Sequence, residues 1–281
     1  MAERHTTAQN AAAFQSHEVQ RLRSICPPVK QQPTPSVAAV LIARNEAARL
    51  PAALASVAWA DERIVVVDAA TTDATEEVAI ACGARAVRHP FTNYAAQRNF
   101  GDTLTTCDWI FCLDADERAT PTLGAAVRRA IAAPGPYVAF TVRRRNRYLG
   151  RWVRYGGWYP DRQLRLYRRG AGQWRGEFVH ESFEPTGPTG RLDGEIEHEA
   201  INSLAEHQAK TNRYTDLAAQ ELRVGGRRIP LWKLLLWPPA TFFKTYVIQL
   251  GCLDGFAGLC IAWFAAHYVF LKYAKARLPG D

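Results

Sequence analysis

The chain has 281 residues, a formal net charge of +8 and six cysteines. This length is ample for one large α/β domain, alone or with an appendage, and for a core of its own. The positive charge favours partners that carry phosphate, although a basic surface that only aids solubility explains the charge equally well. The cysteines form no C-x-x-C pair, and they are expected to be reduced, buried thiols of a cytosolic protein.

The N-terminal stretch carries scattered charges and no apolar segment, so a signal peptide is not expected. It ends in the Pro- and Gln-rich sequence PPVKQQPTPS. Segments of this composition do not bury enough apolar surface to fold. The sequence therefore predicts a disordered leader over residues 1–35, a folded domain over 36–203 and a helical region over 204–281.

The first half of the chain alternates short apolar runs with helical segments. Continuous apolar runs are typical of buried parallel strands, because helices cover both faces of such a sheet. Repetition of strand, helix and strand at this spacing implies right-handed crossovers and a mostly parallel sheet flanked by helices. The predicted elements are, in chain order and alternating strand and helix, 37–43, 47–58, 63–69, 74–82, 84–90, 94–106, 109–116 and 120–132.

Polar residues follow three of these predicted strands directly. The carboxyl ends of parallel strands lie at the same edge of a sheet, where ligands of such sheets bind, so we expect these residues to share one crevice. They are Arg44, Asn45 and Glu46 after the first strand, Asp68 and Asp73 at the second, and Asp114 and Asp116 at the fourth.

The pair Asp114 and Asp116 ends the apolar run WIFCLDAD. Side chains two residues apart on an extended chain point to the same side, so both carboxylates could hold one Mg²⁺ or Mn²⁺ ion. Neither G-x-G-x-x-G after the first strand nor G-x-x-x-x-G-K-[ST] occurs in the sequence. The phosphates of any nucleotide would therefore be held by a metal ion and by side chains.

The second half of the chain has a different pattern. Residues 137–150, 162–170 and 178–184 are predicted to form strands, and the pattern becomes helical from about residue 204. The C-terminal part is an apolar helical appendage in which Asp254 is the only charge between Thr245 and Leu271. It predicts an interfacial or partly embedded membrane contact, or else a helical hairpin that packs on the folded domain.

Several motifs, in this order along the chain, resemble the family 2 glycosyltransferases. The resemblance covers about residues 36–200 and implies an A-type glycosyltransferase (GT-A) fold and inverting sugar transfer. Within the family the sequence is similar to lipopolysaccharide-core β-glucosyltransferases, apart from alanines where that subgroup has Ser and Gly after the second strand. The motifs are VLIARNE (40–46), VVVDAATTDAT (65–75), YAAQRNFG (94–101), LDADE (113–117), GGWYPDRQLRLYRRG (156–170) and VHE (179–181).

The resemblance also implies roles for individual residues. Asp116, with Asp114, would bind Mg²⁺ or Mn²⁺. Glu181 is the preferred general base and Asp161 the other candidate, while Arg165 and His180 would contact the acceptor or a phosphate. The residues expected to bind the nucleotide-sugar donor are Arg44, Asn45, Glu46, Asp68, Asp73, Arg98 and Asp114.

The sequence thus predicts a glycosyltransferase that moves a sugar, expected to come from a UDP-sugar, to a lipid-linked or lipopolysaccharide-type acceptor. We expect it at the cytoplasmic face of the inner membrane, without a nucleic-acid partner. Two alternatives stay open. One is a sugar-phosphate nucleotidyltransferase, and the other is a non-catalytic membrane- or RNA-binding protein that uses the Arg- and aromatic-rich stretch 143–155.

Overall fold

The computed structural model describes residues 34–176, 181–225 and 229–278. The leader predicted for residues 1–35 therefore lies almost entirely outside the described residues. The strands are β1 (Val37–Ala43), β2 (Glu62–Asp68), β3 (Arg85–His89), β4 (Trp109–Asp114), β5 (Glu117–Ala119), β6 (Ala139–Tyr148), β7 (Arg151–Trp152), β8 (Asp161–Arg168), β9 (Gly172–Arg175), β10 (Ser182–Pro185) and β11 (Thr189–Ile201). The helices are α1 (Leu50–Ser56), α2 (Thr75–Ala81), α3 (Tyr94–Thr103), α4 (Pro121–Ala132), α5 (Leu204–Val224), α6 (Leu231–Phe243) and α7 (Gly255–Arg277).

Nine strands form one sheet in the order β3-β2-β1-β4-β8-β6-β11-β5, with β7 paired to β6. The strands β3, β2, β1 and β4 are parallel, as are β6 and β11, which form the longest ladder. Strand β8 joins the two parallel parts and is antiparallel to both of its neighbours. The prediction of an α/β fold with a mostly parallel sheet flanked by helices is confirmed.

Alternate side chains of the central strands enter two separate cores. Leu41 and Val65 pack with α1, α2 and α4 on one face of the sheet, while Val40 and Val66 pack with α3 on the other. Side chains of a strand alternate between faces, so covering both faces requires an unbroken apolar run. This requirement explains why the strand sequences are apolar throughout.

Helix α3 packs very close to the sheet, and this contact fixes the position of the helix face that borders the crevice. Gly101 lies so near β1 and β2 that an added Cβ would stand 2.7 Å from Val40 Cγ1 and 3.1 Å from Val66 Cγ2. A side chain at this position would push the helix away from the sheet. Glycine therefore allows α3 to hold Arg98, one turn earlier, against the end of β4.

The register of the parallel strands aligns their carboxyl ends. Ala43 is opposite Val67, Asp68 is opposite His89, and Ile42 is opposite Asp114. The residues that follow β1, β2 and β4 therefore lie along one edge of the sheet, as the alternation of elements predicts.

The predicted helices and strands of the first half are present, with ends that differ by a few residues. The predicted helices at 47–58 and 94–106 are shorter in the structure, because their first or last residues form turns. Of the strand predicted at 178–184, residues 178–180 lie outside the described residues, Glu181 precedes the strand, and β10 covers 182–184. Helix α5 begins directly after the predicted boundary at residue 203.

The C-terminal helices α6 and α7 pack on each other, and α7 also lies along α5. A short π-helical turn, Lys244–Ile248, and a 3₁₀ turn, Gly251–Asp254, connect α6 to α7. The His207 ring of α5 stacks on Phe264 of α7 with ring centroids 3.8 Å apart. The appendage is therefore a helical layer attached to the sheet through α5 and through α7, whose Ala257 and Ile261 pack in one cluster with Tyr148 of β6 and Ile201 of β11.

Candidate active site

Asp114, at the end of β4, is held by two buried arginines. Arg98 of α3 donates from Nη2 to Asp114 Oδ1 at 2.6 Å, and Arg165 of β8 donates from Nη2 to Oδ2 at 2.9 Å. Burial alone would raise the pKa of this carboxyl, but the two guanidinium groups hold the pKa well below its usual range. Asp114 is therefore a permanent anion whose two oxygens are already engaged by arginine.

Glu117, three residues later, makes the turn after β4 rigid. Its side chain is fully buried, and its Oε1 accepts from Arg165 Nη2 at 2.6 Å and from Arg144 Nη1 at 3.1 Å. Its Oε2 accepts from the backbone N–H of Asp114 at 3.1 Å. The sequence predicts that Arg165 contacts the acceptor or a phosphate, whereas the structure buries it between Asp114 and Glu117, where it supports the turn.

This arrangement makes Arg165 important for stability. We expect Arg165→Leu to lower the free energy of unfolding by about 3–5 kcal/mol, because it leaves Glu117 buried without its nearest cation. Urea unfolding of the full chain measures the change. The matched control is Arg162→Leu at an exposed position of the same strand, which should change stability by about 0.5 kcal/mol or less. Equal stability of the two variants would contradict this role for Arg165.

Asp116 differs from Asp114 in facing a histidine. Its Oδ2 lies 3.5 Å from Nε2 of His198 on β11. His198 Nδ1 lies 2.7 Å from Asn146 Oδ1, and Asn146 donates from its amide nitrogen to the Trp158 carbonyl. The Asn146 oxygen can only accept, so Nδ1 carries the proton and a neutral ring turns the Nε2 lone pair towards Asp116. An oxygen and a nitrogen ligand thus face each other, an arrangement suited to a divalent cation.

A complete protein-only metal site is not formed by the residues that the structure describes. Within these ranges no three His, Cys, Asp and Glu side chains cluster closely enough to hold a metal ion. Asp116 and His198 are thus the pair that could contribute two ligands, while other ligands would come from a bound phosphate or water.

Asp68, at the end of β2, is buried next to the loop after β1. Its Oδ1 accepts from the backbone N–H of Ala70 at 2.9 Å, while its Oδ2 has no hydrogen-bond donor among the described residues. Arg44 Nη1 lies 3.4 Å from this Oδ2 atom. Asp68 therefore offers a buried acceptor to a ligand that reaches the end of β2.

The predicted donor-binding residues Asn45 and Asp73 connect the loops after β1 and β2. Asn45 has a φ of 55°, and its side-chain oxygen accepts from the backbone N–H of Thr72 at 2.9 Å. Asp73 accepts from the backbone N–H groups of Thr75 at 3.0 Å and Ala47 at 3.1 Å. Both polar side chains are thus used within the protein, where they hold the two loops together.

Glu46 lies on the metal side of the crevice. Burial raises the pKa of its carboxyl, and the charged groups near it include Arg49, Asp116 and Lys210. The loop after β1 therefore reaches the same place as the turn after β4 and the first half of α5.

Arg98 is buried at the centre of this edge. Its guanidinium lies 4.7 Å from the ring centroid of Trp174, and Nη2 lies 3.8 Å from Glu181 Oε1. Its Nε and Nη1 atoms have no hydrogen-bond partner among the described residues. Arg98 thus keeps N–H donors available beyond its bond to Asp114, as a site for an anionic ligand requires.

The two candidate bases have different surroundings. Asp161, at the start of β8, accepts from Arg144 Nε at 2.8 Å and from Gln163 Nε2 at 2.6 Å. Burial opposes ionisation of Asp161, but Arg144 and Gln163 lower its pKa below the usual value. Glu181 is partly exposed, and Arg98, 3.8 Å away, is its ion-pair partner among the described residues. Glu181 is therefore the less restrained carboxylate.

His180 lies outside the described residues. The Arg- and aromatic-rich stretch 143–155, in contrast, lies within the described residues, and glutamates of β11 compensate much of its positive charge. Alternate arginines of β6 pair with alternate glutamates of β11, and the Arg145 guanidinium lies 4.1 Å from the ring centroid of Trp152. The close pairs are Arg145 with Glu197 at 2.8 Å and Arg147 with Glu199 at 3.0 Å. This charge compensation does not favour the RNA-binding alternative.

Comparison with known proteins identifies the family. The Glycosyl transferase family 2 domain matches residues 38–184, just over half of the chain. The chain belongs to glycosyltransferase family 2. It is 32% identical over 251 residues to the lipopolysaccharide core biosynthesis glycosyltransferase LpsC of Rhizobium meliloti, covering 85% of this chain and 91% of LpsC. An uncharacterised glycosyltransferase of Rickettsia prowazekii is 26% identical over 264 residues, 86% of each chain.

A solved structure agrees with this assignment at the level of the fold. The mannosyltransferase PcManGT of Pyrobaculum calidifontis, determined with GDP-Man and Mn²⁺, has a TM-score of 0.51 and 15% identity over 96% of each chain. The chain is thus a family 2 glycosyltransferase with a GT-A-like fold. The nucleotidyltransferase and RNA-binding alternatives are not supported.

Three residues of this glycosyltransferase site escape sequence analysis. Glu117 and Arg144 act only through contacts between distant strands, although Glu117 is part of the LDADE motif. His198 has no motif around it, and a lone histidine is more often structural. His198 comes two residues after the fully buried Ile196, and this spacing could have indicated that His198 lies in a sheet. It could not have indicated that Asp116 is its neighbour.

Proposed function

We propose that this family 2 enzyme transfers a sugar, with inversion, from a nucleotide-sugar donor to a lipopolysaccharide-type acceptor at a membrane surface. The observation that carries the proposal is the arrangement at one sheet edge of Asp116 with His198, the Asp68 acceptor and the Arg98 donors, which lack hydrogen-bond partners among the described residues. The likeness to LpsC supports the acceptor class, and a UDP-sugar is the first donor to test.

The donor site is built from the ends of β1, β2 and β4. Asp68 suits a hydroxyl of the ribose or an N–H of the base, because its Oδ2 is buried without a described donor. Arg98 suits the diphosphate through its Nε and Nη1 groups, which have no hydrogen-bond partner in the described part of the chain. Asp114 keeps Arg98 in place through the 2.6 Å ion pair rather than binding the metal itself.

We assign the divalent cation, Mg²⁺ or Mn²⁺, to Asp116 and His198. The Mn²⁺ in the PcManGT structure is consistent with this assignment. When bound, the cation would neutralise charge that develops on the departing nucleotide diphosphate. The carboxylate and the imidazole are both ligands that Mn²⁺ accepts.

On the acceptor side, Glu181 accepts the proton of the attacking hydroxyl. The acceptor oxygen forms a bond to the anomeric carbon as the bond from that carbon to the diphosphate oxygen breaks. Attack from the face opposite the leaving group inverts the configuration of this carbon. Asp161, restrained by Arg144 and Gln163, positions Arg144 beside Glu117.

A panel of nucleotide sugars tests the proposal directly. We expect at least one donor to raise the melting temperature of the full chain in the presence of Mn²⁺, because it binds only the folded state. The same donor should support sugar transfer to lipopolysaccharide isolated from cells that lack this gene. A panel in which no nucleotide sugar binds or reacts, with or without metal, would refute the proposed activity.

The membrane contact rests on the C-terminal helices. Within the described residues, the segment Gly251–Arg277, which comprises the 3₁₀ turn and α7, is long and apolar enough to cross a membrane. Its mean hydropathy is 1.4, and only 22% of its most apolar part is buried. No described residue of α6 is buried. The large apolar side chains that α6, α7 and their connection expose are Leu231, Trp232, Leu235, Leu236, Trp237, Phe243, Val247, Ile248, Leu250, Leu253, Phe256, Leu259, Trp263 and Phe270.

The packing of α7 favours an interfacial position over a span. Lys275 of α7 bonds to Asp216 at 2.7 Å and to Thr215 at 2.9 Å on α5, a helix that also carries Glu206 and Lys210. A spanning α7 would take these charges of α5 into the hydrocarbon region, which is costly. We therefore propose that α6 and α7 lie in the membrane interface with their exposed face towards the lipid.

The positive charge of the chain favours binding to one particular side of the membrane. The end of α7 carries basic residues, and the cytoplasmic leaflet has a negative surface potential. We propose that the enzyme binds the cytoplasmic face of the inner membrane.

Replacing one exposed leucine tests the lipid-facing surface. Leu236 of α6 is 62% exposed, and Leu236→Glu is expected to weaken vesicle binding about tenfold or more, since burying a leucine stabilises by about 1.5–3 kcal/mol. Flotation with phosphatidylethanolamine–phosphatidylglycerol vesicles measures this. The matched control is Ile80→Glu, because Ile80 is 60% exposed on α2. If both variants float like the wild type, α6 is not the contact.

A further inference from the structure

A cavity of about 270 Å³ lies between α5 and α7, beside the end of β11. Four aromatic side chains form its walls: Trp158, Tyr214, Phe264 and Tyr268. Its polar lining residues include Lys210 and His207, both on α5. None of these six residues takes part in the donor site described above.

The polar groups of the cavity are held in place by neighbouring residues. Lys210 donates from Nζ to the Ala200 carbonyl at 2.8 Å and lies 3.1 Å from Glu206 Oε1. An ammonium group has three N–H donors, so one is left for a ligand. His207 bonds through Nδ1 to the Tyr148 hydroxyl at 2.9 Å and stacks on Phe264.

The lining has the chemistry of a carbohydrate subsite. The C–H groups of a pyranose ring carry partial positive charge and fit against the negative face of an aromatic ring. A few fixed polar groups then orient the sugar hydroxyls. An acyl chain would need no hydrogen-bond donor, whereas Lys210 provides one at the wall of this cavity.

The cavity adjoins the catalytic crevice. Lys210 is a charged neighbour of Glu46, which in turn is near Asp116. Tyr214 is a neighbour of Tyr94, whose pKa is raised by burial and which also lies near Glu181 and Asp114. Geometry supports the same placement, since Lys210 donates to the carbonyl of Ala200, which lies two residues after His198 on β11.

The cavity also adjoins the surface that we assign to the lipid. Phe264 and Tyr268 of α7 line it, while Trp263 and Phe270 of the same helix are exposed. The cavity thus lies between the catalytic crevice and the lipid-facing surface, on the path that a membrane-anchored acceptor would follow.

We propose that the α5–α7 cavity is an acceptor subsite that binds a sugar ring of a membrane-anchored glycan next to the sugar that is extended. The inference rests on the proposed glycosyltransferase function and adds a location and a ligand class to it. The aromatic walls stack on the ring, and Lys210 donates to one of its oxygens.

Filling the cavity tests the subsite. Ala265 lines the cavity, so Ala265→Leu and Ala265→Phe place progressively larger side chains in it. We expect a graded rise in the KM for lipopolysaccharide acceptor, about tenfold or more for the phenylalanine variant. Ala266→Phe is the matched control on the same helix and should leave that KM unchanged. A rise in melting temperature with donor and Mn²⁺ shows that a variant is folded. If Ala265→Phe is not folded, Ala265→Leu tests the subsite.

Deacylated acceptor identifies the part of the ligand that binds. If a sugar ring occupies the cavity, the effect of Ala265→Phe persists when the acceptor oligosaccharide lacks its acyl chains. An effect that disappears with deacylation would overturn the proposal in favour of an acyl chain, and an unchanged KM in both Ala265 variants would overturn it outright. Failure of the wild type to transfer sugar would instead refute the proposed function.

Discussion

Asp116→Asn is expected to reduce sugar transfer by about 10²–10³-fold and to remove the Mn²⁺ dependence of nucleotide-diphosphate binding. Asparagine keeps the size of the side chain but removes the negative charge that faces His198 at 3.5 Å. Transfer rates and titrations of nucleotide diphosphate with and without Mn²⁺ measure the two effects. The fold should be unchanged, because Asp116 is not part of the buried arginine network.

Two further asparagine variants make this prediction specific. Asp114→Asn should lower stability, since it removes the anion between Arg98 and Arg165. Asp193→Asn, at an exposed position of β11, should alter neither property. Metal-dependent binding that survives in the Asp116 variant would rule out the assignment of the cation to this residue.

Glu181→Gln is expected to reduce transfer by about 10²–10⁴-fold, the usual contribution of a positioned general base. Glutamine keeps the size and a hydrogen-bonding oxygen but cannot accept the proton of the acceptor hydroxyl. Donor binding should stay within a few-fold of the wild type, because Arg98, the donor-site residue nearest Glu181, keeps its 2.6 Å bond to Asp114. Transfer kinetics and donor titration separate the two effects.

Asp161→Asn is the comparison for the base. It weakens the contacts to Arg144 and Gln163, so it should lower stability more than it lowers the transfer rate measured on folded enzyme. If Asp161→Asn abolishes transfer while Glu181→Gln is near wild type, the roles of the two residues must be exchanged. Full activity in both variants would place the base elsewhere.

The sequence by itself determines the central sheet. VAAVLIA (37–43) and IVVV (64–67) are unbroken apolar runs because β1 and β2 are covered by helices on both faces, so composition alone indicates a parallel α/β arrangement. The edge where the polar residues meet follows from the same alternation. The carboxyl ends of parallel strands lie at the same edge of a sheet, so the sequence alone predicts that the residues after β1, β2 and β4 lie close together.

Only the tertiary structure distinguishes the two aspartates of the D-x-D pair. Their spacing places both on one side of an extended chain, which predicts a shared metal ion. In the structure Asp114 is paired with Arg165, 51 residues away in sequence, and with Arg98 on α3, whereas Asp116 faces His198 on β11. Strand pairing between distant segments decides these partners, and local periodicity contains no information about them.

For the C-terminal region too, the sequence determines one feature and the tertiary structure determines another. Its composition determines that an apolar surface must be covered, either by lipid or by protein. The structure shows which part of that surface protein already covers, because α5 and the ends of β6 and β11 pack on α7 while α6 leaves its own side chains exposed. Hydropathy reports only how much apolar surface a segment carries, and the packing of neighbouring helices determines which part of that surface stays available.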